Sequence, residues 1–215
     1  MKRYNGHTKY YLKDGSLAVG TTTAIGILNK KALVGWSNKL GLNNIVVGRY
    51  VDELADIGTL AHLLVSSDVK GTEPEPETLK DYSDNQRVAA YICFKKFVEW
   101  KNEVKFEPIL SEVQLVSEKY RYGGTIDLYC MRHGKKTLID FKTGNGIYPE
   151  SFTQISAYKN LLEENGHEVE DQRIVRIGRT ENEGFEDRYS PNPTLHFKRF
   201  LGCLNIYRIN KELGI

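Results

Sequence analysis

The sequence predicts an α/β fold, a mixed central β-sheet flanked by helices and preceded by a helical N-terminal region. Three observations predict it. Apolar residues up to about position 101 recur at helical spacing. At Phe106 the period changes to two, the signature of strands. At Ser151, and again from Pro193, helical spacing returns. A chain of 215 residues suits one domain. Residues 1–105 form its mainly helical part, 106–191 its sheet and central helix, and 192–215 a closing helix.

Each element has its own signal. Residues 3–20 are rich in Tyr and Gly, and Tyr10-Tyr11-Leu12 followed by Asp14-Gly15 reads as a strand and a turn. Thr21, Thr22 and Thr23 precede an apolar run, as N-caps do, although their hydroxyls could also touch a phosphate. Ile25, Leu28, Ala32, Leu33 and Trp36 then continue as one helix to Gly41. A second helix spans Val51 to Val65, with Gly58 and His62 on one face. Residues 71–86 are acidic and hold prolines, which predicts an exposed loop. Asn85 to Lys101 is amphipathic, with Val88, Tyr91, Phe94 and Val98 as its packed stripe. Three strands follow in PILSEVQLVS, YRYGGTIDLYCM and KKTLIDFKT, an antiparallel meander turning at Ser117–Lys119 and His133-Gly134. On the second of these, Thr125, Asp127 and Tyr129 share one face, while Ile126, Leu128 and Cys130 share the other. Ser151 to Glu164 is a helix with Gln154 and Tyr158 on one face, and QRIVRIGR and GFEDRYS complete a sheet of about five strands. The closing helix packs through Phe197, Phe200, Leu201, Leu204 and Tyr207.

Composition excludes several classes. The 30 basic residues nearly balance 28 acidic ones, for a net charge of +2, so a histone-like basic surface is absent. A local basic groove stays open to Lys30, Lys31, Lys39, Arg49, Arg121, Arg176 and Arg179. Cys93, Cys130 and Cys203 are odd in number and far apart, which argues against a disulfide framework and for a reducing compartment. Three cysteines cannot supply the four thiolates of an iron–sulfur cluster. The N-terminus has no apolar leader and no apolar run reaches membrane-spanning length, which predicts a soluble, cytoplasmic protein without a membrane partner.

The chemistry gathers between Glu112 and Tyr158. Asp140 and Lys142 lie two apart at the end of a mostly apolar strand, so both side chains leave the same face. Opposite charges there are costly to bury unless a metal or an anionic substrate shares the site. Phosphodiester hydrolysis needs an activated water and charge stabilisation, which Mg²⁺ or Mn²⁺ held by clustered oxygens can supply. Asp127 and Asp140 fit as ligands, the Phe141 carbonyl lies between its neighbours' side chains, and Glu112 could bind directly or through water. Lys142, desolvated next to a metal, would have a lowered pKa and orient or deprotonate the attacking water. Gly58 lets its helix approach the sheet, and Thr59 or a neighbouring carbonyl would fix the His62 ring. A plain salt bridge remains the simplest reading of an Asp-x-Lys pair taken alone.

Taken together, the motifs resemble a family. Gly58-Thr59-Leu60-Ala61-His62, Glu112, Gly124-Thr125-Ile126-Asp127, Asp140-Phe141-Lys142-Thr143-Gly144 and Gln154-x-x-x-Tyr158 occur in the order found in the PD-(D/E)XK nuclease superfamily. Within it they resemble the branch of RecB-type, CRISPR-associated and mitochondrial genome maintenance exonucleases. That resemblance implies a restriction-endonuclease-like core and a Mg²⁺- or Mn²⁺-dependent deoxyribonuclease acting on single-stranded DNA or DNA ends. It also implies that His62, Asp127, Asp140 and the Phe141 carbonyl bind metal, that Lys142 is catalytic, and that Glu112 is a further acidic partner. Gln154 and Tyr158 would line the site and touch DNA, with the tyrosine ring stacking on a base. The chain then resembles a small stand-alone nuclease of a phage or prophage, working with replication, recombination or repair proteins in the host cytoplasm. A structure-specific endonuclease, or a nucleic-acid-binding protein that does not cleave, are the competing functions.

Overall fold

A computed structural model describes residues 8–28 and 30–215, with side chains for all of them but Lys31 and Ala32. The lead-in at residues 3–7, the place of Ala32 in a helical stripe and the role of Lys31 in a basic groove lie outside what it describes. Strands β1 (Tyr10–Tyr11) and β2 (Leu17–Gly20) come first, then helices α1 (Thr21–Ile25), α2 (Lys31–Leu42), α3 (Val47–Lys70), α4 (Pro76–Lys80) and α5 (Asp84–Val104). The sheet continues as β3 (Phe106–Ser117), β4 (Tyr122–Arg132) and β5 (Lys135–Thr143). Helix α6 (Pro149–Glu164), β6 (Asp171–Ile177), β7 (Phe185–Tyr189) and α7 (Pro193–Leu213) complete the chain.

Seven strands make one mixed sheet, in the order β1-β2-β4-β5-β6-β7, with β3 on the far edge of β4. The period-two segments pair as an antiparallel meander, β3 with β4 and β4 with β5. Helix α6 is the crossover that lets β6 lie parallel to β5. The sheet exceeds the predicted five strands because the Tyr-rich lead-in joins it: β2 pairs parallel with the start of β4 at Tyr122 and Gly123.

Helices cover both faces. On one, α1, α6 and α7 pack Ile25, Ile155, Leu161 and Phe200 against Tyr122, Ile126 and Leu138. On the other, α3 and α5 pack Leu60, Leu64, Phe97 and Trp100 against Leu128, Ile139 and Phe141. Each large side chain buried this way is worth about 1.5–3 kcal/mol. The helical N-terminal region is therefore divided between the two sides. The single helix expected over Thr21–Gly41 is two, α1 and α2, separated by a turn after Gly26. Thr21 does not cap α1. The N-cap is Gly20, and the buried Thr21 hydroxyl donates to the Gly123 carbonyl at 2.8 Å, which ties α1 to β4. The acidic 71–86 stretch contains the short helix α4. Ser83 and Gln86 close a capping box that starts α5, and Gly71, at φ 66°, ends α3 in the left-handed conformation that glycine tolerates.

The first two meander strands depart from simple alternation together. Leu110 pairs with Tyr129 and Val113 with Ile126, and all four pack on the α6 face although the members of each strand are three apart. The phase changes at Glu112, whose φ is +54°. Tyr129 therefore shares a face with Ile126, not with Thr125 and Asp127 as strict alternation predicts. A non-glycine residue at positive φ inside a ladder is strained, and such strain concentrates at functional sites.

Candidate metal and active site

The sheet opens where the candidate residues stand. The β4–β5 ladder runs from Arg132↔Lys135 only as far as Leu128↔Ile139. The β2 pairing covers only Tyr122 and Gly123. Between them one edge of β4, Gly124 to Asp127, has no strand partner among the described residues. Asp127 fills the opening itself, its Oδ2 accepting the Phe141 N–H at 2.8 Å. This contact links β4 to β5 where the backbone ladder has stopped.

Asp140 and Lys142 reach the opening from the α6 side. Lys142 Nζ lies 2.8 Å from Asp140 Oδ2 and donates to Gln154 Oε1 at 3.0 Å. Gln154 Nε2 in turn donates to the Tyr158 hydroxyl at 2.8 Å. Asp140 is 1% exposed, and despite the short ion-pair distance neither of its oxygens has a directional hydrogen bond. His62 arrives from α3 on the opposite face, with Nδ1 3.7 Å from Asp127 Oδ2. Gly58 permits that approach, since a Cβ there would stand 3.0 Å from Thr143 Oγ1. Ligand atoms of His62, Glu112 and Asp127 all fall within 4.8 Å of one another.

Burial sets the electrostatics. It pushes Asp127 and Asp140 each up to about 6, although Lys142 pulls both down. Burial, then the Asp127 charge, raises Glu112 to about 7. His62 is lowered to about 4 by burial and then by Lys142, so its ring is neutral and ready to ligate at neutral pH. Without a metal, Lys142 keeps its proton. Burial opposes its charge, but Asp140 and then Asp127 outweigh burial and hold its pKa above the usual lysine range.

The arrangement suits a divalent cation on its own chemistry. Buried Asp140 is held by the Lys142 ion pair without a directional hydrogen bond, and the Glu112 and Asp127 carboxylates, gathered with His62, repel unless a cation screens them. Carboxylate oxygens with one imidazole make a donor set for Mg²⁺ or Mn²⁺.

Other expected roles change. The Tyr158 ring is only 5% exposed and sits against Gly124, where a Cβ would come 2.4 Å from its Cε1. It offers no free face for stacking on a base. Thr59 bonds to the Ala55 carbonyl of its own helix, and His62 lies instead against the Phe141 backbone. Several residues assigned to a basic groove are held in the structure. Lys30 pairs with Glu150, Arg121 with Asp14, and Arg179 with Glu183. Buried Arg176 binds the Gly144 and Glu183 carbonyls. Sequence reasoning missed Tyr10, whose ring covers Gly123 and whose hydroxyl meets Thr125 Oγ1 at 3.0 Å. The adjacent glycines 123 and 124 were the available signal, since neighbouring strand residues without Cβ admit a ring on each face.

No family model and no curated protein sequence matches the chain. Among solved structures it is similar to a Eubacterium rectale protein provisionally named an exonuclease, at 13% identity and a TM-score of 0.44, over 70% of this chain and 68% of that one. It is also similar to SSO0001, at 14% identity and a TM-score of 0.41, over 73% and 74%. At these values the likeness is one of general chain path, and a functional reading rests on the site.

Proposed function

We propose that this chain is a divalent-metal-dependent nuclease of the PD-(D/E)XK type that hydrolyses DNA from ends or single strands. The observation that carries the reading is the Asp140–Lys142 pair at the opened end of β4 and β5, beside Asp127, whose carboxylate is itself gathered with Glu112 and His62. His62, Glu112, Asp127 and Asp140 would hold the ion, with the Phe141 carbonyl as the nearest backbone oxygen. A bound divalent cation supplies a water of lowered pKa and neutralises phosphate charge. The residues do the rest. Lys142 keeps its proton and donates to an oxygen of the scissile phosphate, stabilising charge as it develops. Gln154 accepts one Lys142 N–H and so fixes where the others point, and Tyr158 fixes Gln154. The Phe141 N–H orients the Asp127 carboxylate. A module that only binds nucleic acid gains nothing from carboxylates aimed at phosphates.

One experiment separates the readings. Linear and covalently closed circular DNA, single- and double-stranded, are incubated with the protein in Mg²⁺, Mn²⁺ or EDTA. Loss of linear DNA alone, only with metal, is the expected result. Cleavage of closed circles would make the activity endonucleolytic, and binding without cleavage in either metal would refute the proposal.

A further inference from the structure

Helix α7 is apolar on two faces. One packs Phe197, Phe200 and Leu204 into the body of the protein. The other presents Leu195, Ile206, Ile209 and Leu213, exposed by 66, 51, 44 and 68%. A surface helix of a globular protein ordinarily carries one apolar stripe. The second stripe is regular. Positions 195, 199, 202, 206, 209 and 213 are spaced alternately four and three apart, the spacing of a helix–helix seam. At its middle stands Gly202, with open space where a Cβ would lie.

We propose that α7 pairs antiparallel with α7 of a second copy of this chain, each Ile206 seated over Gly202 of the other. A two-fold axis through the seam near Leu204 sets Leu195 against Leu213, Gly202 against Ile206 and Arg199 against Ile209. The same operation brings exposed Lys198, near the start of the helix, toward exposed Glu212, near its end. A parallel pair would instead place Lys198 on Lys198 and Gly202 on Gly202, with repulsion at one level and a void at the other. The antiparallel pair is thus favoured by both shape and charge, and a self-complementary two-fold contact is the commonest way that copies of one chain associate. Arg199 is anchored to its own α6, through Thr153 Oγ1 at 3.1 Å, and stays in register without a partner. None of the seam residues belongs to the metal site. One helix pair of this length buries less than about 1,200 Å², at the low end for specific contacts, the class of weak and transient association.

Sedimentation equilibrium of the full chain from about 1 to 200 µM reads the outcome, since that range brackets micromolar dissociation. The mass rises toward twice that of one chain. Ile206→Lys, and separately Gly202→Leu, weaken the dimer by at least about tenfold while circular dichroism shows the helices intact, as for exposed sites. Lys198→Glu and Glu212→Lys each weaken it, and the two together restore it. A single-chain mass throughout would overturn the proposal. So would a dimer that tolerates Ile206→Lys and Gly202→Leu, or a charge reversal that the second change does not rescue.

Discussion

Lys142 holds its charge because Asp140 lies 2.8 Å away and Asp127 adds to the field. Lys142→Ala should therefore cut DNA cleavage by about 10²–10³-fold with DNA affinity nearly unchanged, the loss typical of one charge-stabilising donor. Single-turnover rates beside binding isotherms measure both, and activity above about a tenth of wild type would leave Lys142 as an ion-pair residue only. Tyr158 acts on the same lysine through Gln154. Tyr158→Phe keeps the buried ring and removes the hydroxyl, so it should lower kcat by roughly tenfold, one hydrogen bond's worth, without raising KM for DNA. A rise in KM alone would mean that the phenol touches substrate. Glu112 makes a prediction about stability. Its pKa in the fold, about 7, lies above the ordinary 4.5. A carboxyl raised in this way favours the fold while protonated, and that contribution is lost as pH rises from about 4.5 through 7. Above pH 7 its charge is a cost. Glu112→Gln should therefore stabilise the metal-free protein at pH 8, on the order of 1 kcal/mol, and do little at pH 4. Urea melts at the two pH values in EDTA give the comparison, and equal effects at both would separate Glu112 from the buried charge cluster.

Helix α3 matters through its distance from β5. His62 meets Asp127 only because Gly58 lets the helix close on Thr143. Gly58→Val should leave helix content intact and weaken Mn²⁺ binding by about tenfold or more, as displaced coordination shells do. Pairing the milder Gly58→Ala with Thr143→Ala, which removes the crowding hydroxyl, should restore affinity. Titration calorimetry reads both, and no rescue in the double variant would assign the loss to something other than helix spacing. Strand β3 contributes by irregularity. The left-handed turn of backbone at Glu112 shifts the alternation of side chains and sets the carboxylate beside Asp127 and His62. A regular strand would have kept the same sequence on one repeating pattern of faces.

At the scale of the whole molecule, the candidate site draws on both helical layers and on the strands between them. His62 comes from the α3–α5 layer, Asp140 and Lys142 from the α6 side, and Asp127 and Glu112 from the paired strands between. An ion bound by all of them should stabilise the fold cooperatively. Mn²⁺ at about 100 times its dissociation constant should add about 2.7 kcal/mol. His62→Ala should lose most of that gain in Mn²⁺ and less in Mg²⁺, because an imidazole favours the former. Thermal melts in each metal and in EDTA supply the numbers. A metal-independent melting temperature for the wild type would remove the site from the stability of the fold.

Much of this was legible in one dimension. The change of period at Phe106 located the meander, because strand and helix bury their apolar faces at different spacings. Asp140 and Lys142 could be placed on one face by counting, since a strand alternates strictly over so short a distance. Thr21 and Tyr158 show where counting fails. Whether a hydroxyl caps its own helix or bonds to Gly123, and whether a ring is open or seated on Gly124, are decided by what packs nearby. The break in alternation at Glu112 was equally hidden, because a positive φ in a non-glycine residue is imposed by the surrounding structure and not by local preference. Spacing along the chain marks most of the elements and the residues whose chemistry suits a metal. It is packing that opens the sheet between β4 and β5, so that groups from both its faces meet in one place.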